Sequence, residues 1–295
     1  MASTEPDPPA PIEALTTADL AGALRLSEAA QWNQNEADWR GMLALGQGWA
    51  IHAPEASGAA QLAASTVVLP YGAFAWISMV LVLPEFRRRG YATQLLRHAL
   101  AHLAAQSLTA VLDATPVGRA VYAKEGLCDT WGFARYRREP RAAAPASAAS
   151  PAVTRPVRDS DWPAIAALDA PAFGADRQAL LRSLAARLPG AARVLEAKNG
   201  RLRGFVFGRE GREASQIGPL LADDMASAQN LLHDVLGTMT GPVFIDLLDR
   251  CTALMPWLEQ QGFSVQRPFT RMVRGALSAP GDPSKIVLVA GPELG

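Results

Sequence analysis

One stretch near the middle of the chain constrains its folding more than any other: "EPRAAAPASAASPAV", Glu139 to Val153, is alanine, serine and proline with little else and no apolar periodicity. Such a segment cannot bury a face of helix or strand and reads as a linker. The segments on either side are each long enough to form a core, and they predict the same order of elements. The first half reads as a strand (Ile12 to Leu15), helices at Thr17 to Ala30 and Glu36 to Leu45, and strands at Gly48 to His52, Gln61 to Leu69 and Phe74 to Val82. A helix after Gly90, a strand at Thr109 to Asp113, a helix at Val117 to Glu125 and a strand near Phe133 to Arg138 follow. The second half repeats this from Thr154 to Met272, and a last apolar strand lies in "KIVLVAGPELG". The expectation is an α/β (α+β) chain of two tandem domains, each a mixed, largely antiparallel sheet flanked by helices. Its limits would be a disordered tail at 1–10, a first domain at 11–139, a linker at 140–152 and a second domain at 153–295.

Twenty-eight basic side chains balance twenty-eight acidic ones, so no global field draws the chain to nucleic acid or an anionic membrane, and any anion site must be local. Cys128 and Cys251, with no CxxC spacing, argue against a disulfide framework or a cysteine-ligated zinc and point to a reducing, cytoplasmic setting. The start lacks the basic and apolar regions of a signal peptide. The uncharged run Thr66 to Leu83 is broken by Pro70 and Gly72 and reads as two buried strands rather than a membrane span.

That run leads into "LPEFRRRGYATQLL", where three arginines and a glycine stand between a strand and a helix whose stripe is Leu95, Leu96, Ala99, Leu100 and Leu103. Unpaired N–H groups and the positive end of the helix dipole converge at such a junction, which suits an anion. Gly90 permits a positive φ or a close ligand, and arginines can add charge-assisted hydrogen bonds to phosphate. The plain alternative is a solvated turn. The motif is neither GxxxxGK[ST] nor GxGxxG.

"VLVLPEFRRRGYATQLLRHAL" resembles the acetyl-CoA-binding motif of the GNAT superfamily of N-acetyltransferases, Arg/Gln-x-x-Gly-x-Gly/Ala after a strand ending in Val-x-Pro, with Arg87, Gly90 and Ala92 at the fixed positions. The resemblance implies that the backbone of Arg88, Arg89, Gly90, Tyr91, Ala92 and Thr93 holds the pyrophosphate of acetyl-CoA and that Val80, Leu81 and Val82 pair with its pantetheine arm. "LDATPVGRAVYAKEGL" resembles the next strand and helix of the family. Tyr122 stands where a tyrosine usually protonates the departing thiolate, while Thr115 replaces the usual asparagine and Leu127 the usual phenylalanine. "QWNQNEADW", "LDATP" and "GPELG" make the whole chain similar to YitH-like two-domain acetyltransferases.

The implied activity is transfer of acetyl to a primary amine of a small molecule, by direct attack in a ternary complex. A protein lysine or N-terminal acceptor is one alternative, and a CoA-binding sensor or scaffold without turnover is the other. A backbone N–H near Val80 would polarise the thioester carbonyl. Many members place a glutamate base on the strand that here reads Ala75-Trp76-Ile77-Ser78-Met79; with no carboxylate there, Ser78 is expected to hold a water that relays the proton. Trp32, Asn33 and Gln34, with Trp76 as a wall, are the expected acceptor contacts. His98 and His102 share a helix face, but with no third ligand no metal is expected. "QIGPLLADDMASAQNLL" in the second half lacks the arginine-glycine pattern, and Asp223 and Asp224 would repel a pyrophosphate, which suggests a degenerate domain. A monomer or homodimer is expected.

Overall fold

The computed structural model describes residues 10–54, 58, 60–141, 153–276 and 278–295. The tail and nearly all of the linker, 1–9 and 142–152, lie outside the described residues. The elements follow the predicted order: β1 (Glu13–Leu15), α1 (Leu20–Ala29), α2 (Glu36–Leu45), β2 (Gln47–Pro54), β3 (Ala60–Tyr71), β4 (Phe74–Val82), α3 (Tyr91–Ala105), β5 (Thr109–Ala114), α4 (Pro116–Lys124) and β6 (Leu127–Arg138). The second half supplies β7 (Val153–Pro156), α5 (Trp162–Phe173), α6 (Gln178–Arg187), β8 (Arg193–Glu196), β9 (Leu202–Arg209), β10 (Ser215–Ala222), α7 (Met225–Gly237), β11 (Val243–Leu248), α8 (Met255–Gln260), β12 (Phe263–Arg274) and β13 (Ile286–Leu288).

Compact contacts divide the chain into two units, and the division does not fall at the alanine-rich stretch. The first unit is Met1–Leu69 with Ile77–Leu108; the second is Pro70–Trp76 with Thr109–Gly295. Strand pairing explains why β5 and β6 join the later elements. β12 lies between them and pairs antiparallel with both, and β6 pairs antiparallel with β11 along its other edge.

In the first unit β1, β2, β3 and β4 are neighbours in that order, with β1–β2 and β2–β3 antiparallel. Asn35 starts α2 through a reciprocal capping box: its Oδ1 accepts from Asp38 N–H at 3.1 Å, and Asp38 Oδ2 accepts from Asn35 N–H at 3.0 Å. The buried Trp39 ties α2 to α1, its Nε1 donating to Ser27 Oγ at 2.9 Å. The predicted stripe of α3 is buried, and its two histidines pack edge-on against Trp49, with ring centroids 5.0 and 4.8 Å away. Among the described residues no cluster of three or more His, Cys, Asp or Glu side chains is placed to hold a metal, and no helix is long and apolar enough to cross a membrane.

The second unit orders its strands β5-β12-β6-β11-β13-β10-β9-β8-β7, with Phe74–Trp76 of β4 pairing parallel to β5 at the outer edge. Among the described residues its interior carries four buried arginine–carboxylate pairs: Arg135–Asp246, Arg177–Asp169, Arg209–Glu293 and Arg271–Asp113. Desolvating such charges is costly, so each pair needs its partner in place. The geometry supplies this. Arg271 meets both Asp113 oxygens at 2.9 Å and lies between the rings of Trp76 and Trp131, at 4.3 and 4.0 Å.

Candidate active site

The strand-to-helix junction lies wholly within the first unit. β4 buries Leu81 and leaves Val80 and Val82 half-buried, as alternation along a strand requires. Met79, just before them, has φ of +51°, a left-handed conformation that interrupts the regular strand. Ser65 Oγ donates to its carbonyl at 2.8 Å. After β4, Pro84–Phe86 makes one 3-10 turn, Arg88 (φ +64°) and Gly90 (φ +82°) are both left-handed, and α3 begins at Tyr91.

No side chain caps α3, because its N-cap is Gly90. The N–H groups of Tyr91, Ala92 and Thr93 therefore have no partner within the helix and point, with the dipole, at the junction. A Cβ at Gly90 would meet nothing within 4 Å, so this side of the turn is open. Arg87, Arg88 and Arg89 are exposed. Arg87 Nε donates to Val82 O at 3.4 Å, Arg89 Nη2 donates to Glu85 O at 3.3 Å, and Arg89 also lies 5.1 Å from the centre of the Phe86 ring. Arg88 has no ion pair or hydrogen bond among the described residues. Two arginines thus brace the turn, and Arg88 makes no such contact.

Ser78, Trp32, Asn33 and Gln34 also belong to the first unit. Asn33 and Gln34 are buried, Trp32 is half-buried, and Ser78 is 7% exposed. Two of these leave a buried polar atom without a hydrogen-bond partner: Ser78 Oγ and Gln34 Oε1. An orphaned buried acceptor or hydroxyl costs stability unless water or a ligand satisfies it.

Trp76, Thr115 and Tyr122 belong to the second unit. Trp76 is the expectation that the structure corrects. It is 1% exposed, its Nε1 donates to Pro292 O at 3.0 Å, and Arg271, Phe173 and Gly295 cover its ring, so it presents no wall to a ligand. Nothing in its own neighbourhood of sequence foretold partners two hundred residues away. Thr115 caps α4, its Oγ1 accepting from Gly118 N–H at 3.2 Å, with Pro116 at the first helical position. Gly118 in turn makes room for Tyr122, one turn on: a Cβ at Gly118 would come within 2.9 Å of the ring. Burial pushes the Tyr122 hydroxyl up to about 12, so it keeps its proton at neutral pH.

Comparison with known proteins meets this geometry. Residues 20–126 match the family model "Acetyltransferase (GNAT) family", and residues 165–287 match "Acetyltransferase (GNAT) domain". A structure described as "A Putative Acetyltransferase from PYROCOCCUS HORIKOSHII" is similar at 21% identity and a TM-score of 0.74, covering 97% of this chain and 95% of that one. A GCN5-related N-acetyltransferase from Sphaerobacter thermophilus is similar at 16% identity and a TM-score of 0.62, covering 91% and 97% of the two chains. A tandem GNAT protein from the clavulanic acid biosynthesis pathway gives 16% identity and a TM-score of 0.59 over 89% and 97%. No curated protein matches the sequence significantly. With one GNAT family model matching each half of its length, and a fold shared with these structures over nine-tenths of it, the chain belongs to the GNAT superfamily of acetyltransferases, as a member with two GNAT domains in tandem.

Proposed function

We propose that the first domain transfers an acetyl group from acetyl-CoA to the primary amine of a small molecule, and that the domains run 11–139 and 153–295. The observation that carries this reading is the uncapped junction Arg87–Thr93. Left-handed Arg88 and Gly90 turn the chain so that amides at the start of α3 face an open side flanked by exposed arginines. A diphosphate has the charge and the acceptors to fit there. Val80 and Val82 would run beside the pantetheine arm, and the carbonyl would take a hydrogen bond from the backbone N–H of Val80, next to the interrupted strand at Met79.

The amine must lose a proton and the thiolate must gain one. Tyr122, protonated at neutral pH, is assigned the second task. For the first, β4 offers no carboxylate; Ser78, whose hydroxyl has no protein partner, would hold a water that passes the proton outward. Gln34, with its free Oε1, and Trp32 are the acceptor contacts we retain, since Trp76 is covered. The missing carboxylate also favours a second reading, a CoA-binding sensor without turnover.

Acetyl-CoA titration alongside thiol release with a panel of small amines and lysine peptides separates these. Binding with turnover on a small amine supports the proposal, and turnover only on peptides moves the acceptor to protein. Tight binding without turnover selects the sensor, and no binding of acetyl-CoA refutes both.

A further inference from the structure

The second GNAT domain contains the same strand arrangement, but with an occupant. β10 and β11 run parallel in register from Ser215↔Val243 to Ile217↔Ile245, and their pairing ends there. Two parallel strands that part leave facing rows of unpaired N–H and C=O groups, a slot for an extended ligand. Here the chain fills it. β13 enters antiparallel to both strands, with Leu288 opposite Leu220 on one side and Leu247 on the other, and Ile286 opposite Leu221. Val289 N–H donates to Asp246 O at 3.1 Å.

The fit is close and anchored. Ile286, Val287, Leu288, Val289 and Ala290 are at most 3% exposed. Gly218, where the strands part, has φ of +149°, and a Cβ there would lie 2.0 Å from Val289 O. Arg250 grips the entering backbone, Nε to Pro283 O at 2.8 Å and Nη2 to Ser284 O and Ile286 O at 2.5 and 2.6 Å. Beyond the slot, Arg209 Nη1 donates to Ala290 O at 2.8 Å.

The helix that follows β10 is closed as well. Asp224 caps α7, accepting from Ser227 N–H at 2.7 Å, and Arg203 holds both Asp223 and Asp224 at 2.7 to 3.1 Å. A carboxylate takes one first-turn amide of α7, where α3 has no side-chain cap.

We propose that the second domain takes no acyl-CoA because residues Ile286–Ala290 occupy the slot between β10 and β11. This does not rest on the reading of the first domain. The test combines hydrogen exchange of the full chain, with and without saturating acetyl-CoA, and calorimetric titration of wild type and the Arg87→Ala/Arg88→Ala/Arg89→Ala variant. The peptide covering 286–290 is expected to exchange at least roughly a hundredfold more slowly than unpaired backbone, unchanged by ligand. Titration should show no more than one equivalent in wild type, and any binding left in the variant should leave the exchange of 215–222 unchanged. Fast exchange of 286–290, its deprotection by acetyl-CoA, a second equivalent, or variant binding that protects 215–222 would each overturn the proposal. A wild type that binds no acetyl-CoA while 286–290 stays protected would refute the first-domain reading and leave this one supported.

Discussion

Substituting Gly90 by alanine isolates what the junction does, because Gly72 provides a matched control. Gly90 has φ of +82° and Gly72 has φ of +63°, and at neither would a Cβ meet anything within 4 Å. The structural cost of either alanine is therefore the left-handed backbone alone, about 1–2 kcal/mol, with no packing term. Gly72→Ala should lose that stability and nothing else. In Gly90→Ala the new methyl group stands on the open side, where the diphosphate would approach the amides of α3. Displacing the ligand from one charge-assisted hydrogen bond costs about 1.5–3 kcal/mol, which is a roughly tenfold to hundredfold rise in the KM for acetyl-CoA. Thermal melts and steady-state thiol release on both variants read the two quantities separately. Similar melting losses with a KM rise confined to Gly90→Ala are expected. If KM moves by less than about twofold in Gly90→Ala, or equally in both variants, the junction is only a turn and the reasoning fails.

Three further outcomes follow from the geometry. Tyr122→Phe should lower kcat roughly a hundredfold or more with KM for acetyl-CoA little changed; since burial pushes the hydroxyl up to about 12, a descending limb near pH 9 that vanished in this variant would contradict the assignment. Arg271→Met leaves Asp113 buried without its cation and should cost about 3–5 kcal/mol in denaturant unfolding, most of it recovered in Arg271→Met/Asp113→Asn; equal losses in single and double variants would show that the pair is not the source. The hydrogen bonds of Arg155 hold the Asp161 carboxyl below its ordinary 3.8, so its folded value lies below its unfolded one. Its contribution is present above pH 3.8 and is lost as pH falls through the depressed value; Asp161→Asn should be less stable at pH 7 and show a flatter acid limb, and parallel curves for the two proteins would exclude this.

Elements with a local cause were legible. The α3 stripe and the interrupted run Thr66 to Leu83 each follow from spacing over a few residues, and each is found where spacing puts it. The junction at Gly90 was legible for the same reason, since the glycine and the helix that needs it are adjacent. What could not be read is pairing at long range. Arg271 and Asp113 are 158 residues apart, and Trp76 and Pro292 are 216 apart, so a tryptophan that looks like a cleft wall in its own strand is in fact claimed by the far end of the chain.

The same limit governs the second domain. Asp223 and Asp224 could be seen to oppose a phosphate from their charge alone, but "KIVLVAGPELG" reads only as one more apolar strand, and nothing local says between which strands it will sit. Where it sits, Gly218 has no Cβ to block Val289 O, and Arg250 holds three carbonyls of the entering segment. One domain thus keeps an uncapped helix behind a left-handed glycine, and the other meets the same backbone needs from within the chain. In a duplicated fold, which copy can take a cosubstrate depends on whether those hydrogen-bonding groups are already satisfied.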